Sequence, residues 1–279
     1  MIFAFLNFCF SAPNWKLAWS DEFDNTGLPD PHFWNYEVGF VRNTNQEYYT
    51  YADQRNTRVE NGELVLEVHR DFNSTAPDGR KYNYTSGSIR SQGKVHFLYG
   101  KFESLLKVPP GGGTWPALWL LGINRDTVSW PMCGEVDMME YIGNNPNTLW
   151  STFHMAGPNY PKDAEYSVGG TLVTNNASSI YHNYTFTWST DSVELYIDYK
   201  MAVQYKKPAN PDLKTWPYDL PFFLIINMAI GGGWGGKIDD NIFTSEVKFY
   251  VDYIRYYIDM NDPYHEESFK VLNESLHHD

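Results

Sequence analysis

Three carboxylates, Glu135, Asp137 and Glu140, lie within six residues of the segment Gly134–Tyr141. The segment is rich in strand-forming residues, and successive strand side chains point to opposite faces, so Glu135 and Asp137 share one face. Strict alternation would place Glu140 on the other face, where a buried, unpaired carboxylate costs on the order of several kcal/mol. One extra residue at the two intervening methionines, a β-bulge, returns Glu140 to the face of the other acids. The sequence therefore predicts a bulged strand with three acids on one face.

Acids crowded in this way cannot all ionise, so one keeps its proton near neutral pH while a neighbour stays anionic. A protonated acid beside a carboxylate is what cleavage of a glycosidic bond requires. Strand rise separates the Cα atoms of Glu135 and Glu140 by roughly 13 Å. A retaining mechanism needs carboxyl groups about 5–5.5 Å apart, so the two side chains must lean together. A solvated acidic strand face and a Ca²⁺ or Mg²⁺ site remain open, although the loop spacing of an EF-hand is absent.

The composition indicates a β-rich domain with many aromatic rings. With 279 residues, the chain forms one large β domain or two small ones. Aromatic residues make up 17%, including ten Trp and 21 Tyr, more than a core requires. Such rings can stack on sugar faces, although any single ring can equally be a packing residue.

The net charge of −13 argues against nucleic acid and anionic membranes as partners. It also weighs against a sulfated polysaccharide, since a polyanion is repelled. A neutral polysaccharide is the partner that this charge favours, with no stable membrane insertion.

The N-terminus predicts a secreted protein. An apolar stretch, Ile2–Phe10, precedes the small residues Ser11 and Ala12, so residues 1–11 are predicted to be a signal peptide, although no Lys or Arg comes before it. The stretch is too short to span a bilayer. Cys9 would leave with the signal, so Cys133 has no disulfide partner. Five N-glycosylation sequons fit the secretory route: Asn73, Asn83, Asn176, Asn183 and Asn273.

The rest of the chain indicates many short strands between Gly, Pro and Asn turns, which is typical of an all-β sandwich or barrel. The segment 59–68 is a hairpin signal, whereas 73–85 is predicted to be a loop. No long amphipathic helix, repeat or linker is evident. Residues 12–258 are therefore predicted to be one domain, and 259–279 a polar, frayed tail with at most one short helix.

Three further strands repeat the two-faced pattern. Alternation places Trp115 and Trp119 on one face of their strand, His154 on one face of a second, and Asn227 on one face of a third. The opposite faces are apolar, so the sandwich is predicted to have a lined cleft on its second face. Each residue also has an ordinary interpretation: a sheet aromatic, a surface histidine, or an amide satisfying backbone at a bulge.

The glycine-rich segment Gly231–Lys237 invites comparison with a phosphate-binding loop. Ile238, rather than Ser or Thr, follows Lys237, and no helix signal comes after it. The segment is better interpreted as a flexible loop that presents Trp234 at the cleft rim.

Taken together, these motifs resemble glycoside hydrolase family 16, particularly its laminarinase-like branch of endo-1,3-β-glucanases. The similarity extends from about Trp15 to Ile258. It rests on several ordered segments: 99–103, 114–121, 134–140, 227–232 and 251–257. The resemblance implies a concanavalin A-like β-jelly-roll sandwich of two antiparallel sheets, with the cleft across the concave one.

The resemblance also implies roles for the acids. Glu135 would be the nucleophile, and Glu140 would be the acid that protonates the leaving oxygen and then the base that activates water. Asp137 would tune the protonation of both acids. The family commonly carries a structural Ca²⁺, and Asp252 matches a ligand position, while catalysis needs no cofactor.

Substrate-binding roles follow from the same resemblance. Trp115 and Trp119 would hold sugar rings, and His154 would contact Glu140 or the leaving sugar. Asn43 and Trp234 would line neighbouring subsites. The predicted substrate-binding residues, with Asn227 from the apolar strand, are Trp115, Trp119, His154, Asn43, Trp234 and Asn227.

One segment departs from the family pattern. Laminarinase-like members usually have Asn, Glu and Gln ahead of paired aromatics, whereas this chain has Asn43-Thr44-Asn45-Gln46-Glu47-Tyr48-Tyr49. The linkage preference is therefore less firmly implied than catalysis. The predicted function is a secreted, monomeric, retaining endo-β-glucanase acting on β-1,3- or mixed β-1,3/1,4-glucans. Three alternatives remain: a glucan-binding protein without turnover, a transglycosylase, and an enzyme for agar or carrageenan.

Overall fold

Two stacked β-sheets make up the computed structural model, which describes residues 12–42 and 44–272. The predicted signal peptide (1–11), Asn43 and Asn273 lie outside the described residues. The nine-stranded sheet contains β2 (Asn35–Tyr36), β7 (Ser88–Arg90), β8 (Val95–Phe97), β10 (Thr114–Gly122), β11 (Glu135–Tyr141), β12 (Thr148–Met155), β13 (Tyr166–Val173), β17 (Phe222–Ile230) and β19 (Phe269–Val271). The ten-stranded sheet contains β1 (Trp15–Asp21), β3 (Glu47–Tyr49), β4 (Thr57–Glu60), β5 (Glu63–Thr75), β6 (Lys81–Ser86), β9 (Gly100–Lys107), β14 (His182–Trp188), β15 (Ser192–Ile197), β16 (Lys200–Lys206) and β18 (Val247–Asp259).

The sheet topology confirms the predicted all-β sandwich. In the nine-stranded sheet the order is β13-β12-β11-β10-β17-β7-β2, so the acidic strand β11 lies between two long partners. Neighbouring strands are antiparallel throughout this sheet. In the other sheet, β3 pairs with β6 in parallel, an exception to the predicted antiparallel arrangement.

Alternate residues of the central strands form the core between the sheets. Leu118 and Leu120 of β10 and Leu224 and Ile226 of β17 are fully buried in the main core. Their neighbours along each strand face outward, as the sequence pattern predicts. A one-residue slip would exchange the two faces, so this packing fixes the register that positions the outward side chains.

Two segments that the sequence predicts to be irregular contain paired strands. The predicted loop 73–85 is mostly the paired ends of β5 and β6, with an irregular register between Arg70 and Ser74. In the predicted frayed tail, β19 pairs with β8, and the ring of Phe269 lies 5.8 Å from that of Phe97. The loop prediction was wrong, and the tail is paired at Phe269–Val271, because both expectations relied on polar composition, whereas cross-strand pairing decides the local structure.

Helical structure is confined to short turns in the described residues. The predicted flexible loop around Trp234 contains a four-residue helix, α1 (Gly232–Gly235), which Gly231 (φ 66°) and Gly236 (φ 71°) begin and end in conformations that favour glycine. Three 3₁₀ turns span Ile123–Asp126, Pro217–Asp219 and Asp240–Thr244. Across 12–42 and 44–272, no helix is both long enough and apolar enough to cross a bilayer.

Candidate active site

The β-bulge predicted in β11 is present. Glu135 lies opposite Leu121 of β10, and Glu140 lies opposite Ala117, so a five-residue step on β11 matches a four-residue step on β10. The pairing of β11 with β12 shifts at the same place. Met138 and Met139 are both fully buried in the core, which leaves Glu140 on the outer face with the other two acids.

The acids and His154 form a compact group. An oxygen of Glu135, an oxygen of Asp137 and a ring nitrogen of His154 all lie within 4.8 Å of one another. Nε2 of His154 is 3.0 Å from Oδ2 of Asp137, while its Nδ1 is 2.8 Å from the Ser167 hydroxyl. His154 therefore lies on the Glu135 side of the strand, beside Asp137 rather than in the predicted contact with Glu140. A nitrogen in this set does not suit Ca²⁺ or Mg²⁺, which prefer oxygen ligands.

Burial raises the pKa of all three acids. Burial raises the pKa of Glu135 and, to about 8, that of Glu140. Burial likewise raises the pKa of Asp137 to about 8. Asp137 is only 3% exposed, whereas Glu135 opens partly onto the outer face and Arg42 favours its ionised form. The three acids cannot all ionise at once, and Glu140 is protonated near neutral pH.

Three indole rings surround Glu140. Trp115 Nε1 donates a hydrogen bond of 3.0 Å to Glu140 Oε1. The ring of Trp234 meets those of Trp115 and Trp150 edge to face, at 5.6 and 5.3 Å between centroids. Trp234 is 44% exposed, so this cluster combines an anchored acid with an aromatic surface.

Replacing Trp115 with Phe should move the alkaline limb of the pH–rate profile to higher pH. The Trp115 N–H stabilises ionised Glu140 and so lowers its pKa. Without that donor, Glu140 holds its proton to a higher pH, and an acid catalyst stays active further into the alkaline range. The measurement is kcat against pH, and Trp150→Phe, which removes an indole that does not bond Glu140, is the matched control. An unchanged limb would show that this hydrogen bond does not govern the proton.

Trp119 is held from two sides. Its Nε1 donates to Asn227 Oδ1 at 2.8 Å, and Asn227 Nδ2 donates to the Tyr49 hydroxyl at 3.0 Å. The guanidinium carbon of Arg42 lies 4.8 Å from the Trp119 ring centroid. Trp119 is 9% exposed and Asn227 is 4% exposed. Asn227 is thus a buried support for Trp119 rather than a residue that lines the open surface, and Arg42 covers part of the ring predicted to hold a sugar.

Comparison with known proteins identifies the relatives of this fold and site. The model of glycosyl hydrolases family 16 matches residues 44–255. A β-glucanase from Rhodothermus marinus is 38% identical over 258 residues, covering 88% of this chain and 86% of the relative. The chain therefore belongs to glycoside hydrolase family 16.

Other relatives are named for different substrates. The laminarinase catalytic domain from Thermotoga maritima superimposes with a TM-score of 0.77 at 39% identity, over 89% of this chain and 100% of that domain. A keratan-sulfate endo-1,4-β-galactosidase from Sphingobacterium multivorum is 31% identical over 88% of this chain, which spans 55% of that protein. These comparisons confirm the resemblance inferred from the sequence motifs and its jelly-roll fold.

The segment around residue 47, which departs from the usual family 16 pattern, contains a buried acid. Glu47 is 2% exposed, and its Oε2 accepts the backbone N–H of Ile230 at 2.9 Å. Burial raises its pKa to about 7, although the Ile230 hydrogen bond opposes the shift. Glu47 lies two residues before Tyr49, whose hydroxyl accepts a hydrogen bond from Asn227. The hydrogen bond between Glu47 and Ile230 joins β3 to the end of β17, the strand that carries Asn227.

Replacing Glu47 with Gln should stabilise the protein above neutral pH. A carboxyl whose folded pKa is raised to about 7 contributes stability below its unfolded value, and that contribution is lost as pH rises through 7. The wild type therefore loses roughly 3 kcal/mol of unfolding free energy by pH 8. The Glu47→Gln variant avoids this loss, so its Tm at pH 8 should exceed that of the wild type by about 5 °C or more. The gain should shrink at pH 5. Glu194→Gln on β15 is the control, and an equal gain at both pH values would contradict the titration.

The sequence analysis did not identify two residues that lie near the site, Glu37 and Trp130. Glu37 is nearly fully buried and binds Arg42 at 2.8 Å, which holds the guanidinium over Trp119. Trp130 is 45% exposed, and its ring centroid lies 6.3 Å from that of His154. The position of Trp130, in the Ser129-Trp130-Pro131 loop just before the acidic strand, is the signal that could have revealed it. Nothing in the local sequence marks Glu37.

Two predicted site residues remain, Asn43 and Asp252. Asn43 falls outside the described residues. Asp252 lies on β18, where pairing with β9 shifts register between Val251 and Tyr253. Asp252 is half-buried, and burial raises its pKa. The nearby Glu22 accepts two hydrogen bonds from Arg255, at 2.7 and 2.9 Å. A carboxylate oxygen such as that of Asp252 is the kind of ligand that Ca²⁺ prefers.

Proposed function

We propose that this protein is a retaining endo-β-glucanase that hydrolyses internal bonds of β-1,3-glucans or of mixed β-1,3/1,4-glucans. The observation that carries the proposal is the bulge in β11. It places Glu140, hydrogen-bonded to Trp115, on the same face as Glu135 and Asp137. The β-glucanase and laminarinase relatives support a glucan substrate.

In the proposed mechanism, Glu135 and Glu140 each carry out one part of the reaction. Ionised Glu135 attacks the anomeric carbon, while protonated Glu140 gives its proton to the leaving oxygen. The result is a glycosyl-enzyme ester and a free aglycone. Glu140, now ionised, takes a proton from water, which displaces Glu135 and restores both groups. Asp137, paired with His154, keeps the charge next to Glu135 low, because it holds its own proton to about pH 8.

A substrate panel tests the proposal. Laminarin, lichenan, agarose and κ-carrageenan are incubated with wild-type protein and with Glu135→Gln, and reducing ends are measured. We expect release from laminarin, and from lichenan if mixed linkages are accepted, only by the wild type. Release from agarose or carrageenan alone would reassign the substrate. Binding without release would favour a recognition protein, and longer products formed with an added acceptor would indicate a transglycosylase.

We also propose that the protein is secreted and monomeric. The apolar N-terminal stretch and the sequons support the secretory route. Asn73 and Asn83 are exposed, whereas Asn183 is 7% exposed and accepts a hydrogen bond from Thr185, so the last is a poor glycan acceptor once folded. Glycosidase-sensitive mass on Asn73 or Asn83 and a monomeric light-scattering mass would support both proposals. An unprocessed N-terminus or a dimer would contradict them.

Calcium should stabilise the protein through Asp252. A ligand that binds only the folded state at 100 times its Kd adds about 2.7 kcal/mol, which is several degrees in Tm for a chain of this size. We therefore expect EDTA to lower Tm and added Ca²⁺ to restore it. Asp252→Asn should remove the response, whereas Asp191→Asn, at an exposed turn, should keep it. A calcium response that survives in Asp252→Asn would place the ion elsewhere.

A further inference from the structure

A cavity of about 370 Å³ opens beside Glu135, on the side away from the three-indole cluster. Two guanidinium groups and two indole rings contribute to its wall. The lining residues are Arg42, Trp119, Leu121, Arg125, Ser129, Trp130, Cys133 and Glu135. The volume is sufficient for one sugar unit, and the mixture of aromatic and polar groups is typical of a carbohydrate subsite.

The floor next to this cavity carries more positive than negative charge. The single carboxylate of Glu37 faces two guanidinium groups: Arg42 at 2.8 Å and Arg90 at 3.8 Å. Arg90 lies in β7 opposite Ile225, which in turn lies opposite Trp119, so it belongs to the same row of the sheet. Buried Nη1 of Arg42 and Nε of Arg90 have no hydrogen-bond acceptor among the described residues. One acid is thus shared by two cations.

Arg125 adds a third cation at the cavity mouth. Its nearest carboxylate, that of Asp126, is 3.7 Å away and 74% exposed, so the pair is weak. The negative groups nearby are Glu135, whose charge is required for attack, and Glu47, which lies beneath the floor and is half-protonated near neutral pH. Three guanidinium groups are thus gathered at one end of the cleft, in a chain whose net charge is −13.

Building on the proposed glucanase activity, we propose that this cavity is a subsite for a sugar unit bearing an acidic group, a C6 carboxylate or a sulfate ester, within an otherwise neutral glucan. Guanidinium groups bind such oxyanions through paired hydrogen bonds. Trp119 and Trp130 supply apolar surface for the ring. The overall negative charge still opposes a polyanion, but screening over about 8 Å at physiological salt leaves one acidic group governed by its local contacts.

The test uses laminarin modified at a low, equal degree of substitution. One sample is oxidised at C6 to give glucuronic acid units, one is sulfated at C6, and one is untreated. We expect the wild type to cleave at least one acidic sample with a kcat/KM no lower than that for untreated laminarin. Mass spectrometry of the products should place the acidic unit at one fixed distance from the new reducing end. The two acidic samples show whether the site takes a carboxylate, a sulfate or both.

A matched pair of variants separates local recognition from net charge. Arg125→Gln and Lys206→Gln each remove one positive charge, but Lys206 is exposed on β16 of the other sheet. Arg125→Gln should lower the ratio of kcat/KM for acidic over untreated laminarin about tenfold, the loss expected for one charge-assisted hydrogen bond. Lys206→Gln should leave that ratio unchanged.

Three outcomes would overturn the subsite. The product masses could show that no acidic unit lies near a cleaved bond. They could also show acidic units at random distances from the cleaved bonds. Alternatively, Arg125→Gln could alter the ratio no more than Lys206→Gln does. In each case, continued cleavage of untreated laminarin leaves the proposed glucanase function intact. If no sample is cleaved, the glucanase function fails, and the acidic subsite fails with it.

Discussion

Replacing Glu135 with Ala should reduce laminarin hydrolysis by on the order of 10⁴-fold or more, because the nucleophile of the first displacement is lost. Substrate affinity should change far less, since the aromatic rings and the other acids remain in place. The measurement is kcat and KM on a laminari-oligosaccharide of defined length. Glu194→Gln on β15, a partly exposed acid of the other sheet, is the control and should retain wild-type rates.

Azide distinguishes loss of the nucleophile from loss of structure. In Glu135→Ala, azide can enter the vacated space and attack the anomeric carbon directly, while Glu140 still protonates the leaving oxygen. Because only one displacement occurs, the product is an α-glycosyl azide of inverted configuration. A β-azide, or hydrolysis that persists in Glu135→Ala without azide, would show that another group is the nucleophile.

The face of each central strand was predictable from the sequence because alternation and burial leave few choices. The bulge in β11 followed from a single argument: a charged Glu140 cannot be buried without a partner. The structure confirms it through the register of Ala117 and Leu121. Strong local constraints of this kind need no knowledge of the neighbouring strands.

Contacts between distant segments could not be predicted in this way. Glu37 and Arg42 come from one segment and Arg90 from another, and only the sheet order places them beside Trp119. Likewise, Phe269 packs on Phe97 across more than 170 residues of sequence. No periodicity within either segment encodes such a contact, so the tail was predicted to be frayed.

The buried acids also relate activity to stability. Asp137 and Glu140 keep their protons to about pH 8 because burial disfavours their charge. Each therefore contributes stability at low pH that is lost as pH rises through 8. Amides at these positions should stabilise the fold in alkaline solution, in the same sense as the change at Glu47. The cost of keeping these acids buried is what makes Glu140 a proton donor at neutral pH.

Replacing Glu140 with Ala should lower kcat on laminarin by about 10²–10⁴-fold, the usual contribution of general acid–base catalysis. The effect should depend on the leaving group. A β-laminaribioside of 2,4-dinitrophenol leaves without protonation, so its first displacement should proceed at nearly the wild-type rate. The glycosyl-enzyme on Glu135 should then accumulate as a burst, because no base activates water.

Azide should release that intermediate from Glu140→Ala and yield a β-glycosyl azide, since two displacements restore the original configuration. The opposite configurations from Glu135→Ala and Glu140→Ala assign the two roles within one assay. The alkaline limb near pH 8 should also disappear in Glu140→Ala, because the titrating group is gone. A retained limb, or an α-azide from Glu140→Ala, would mean that the proton donor is not the acid that the bulge brings to this face.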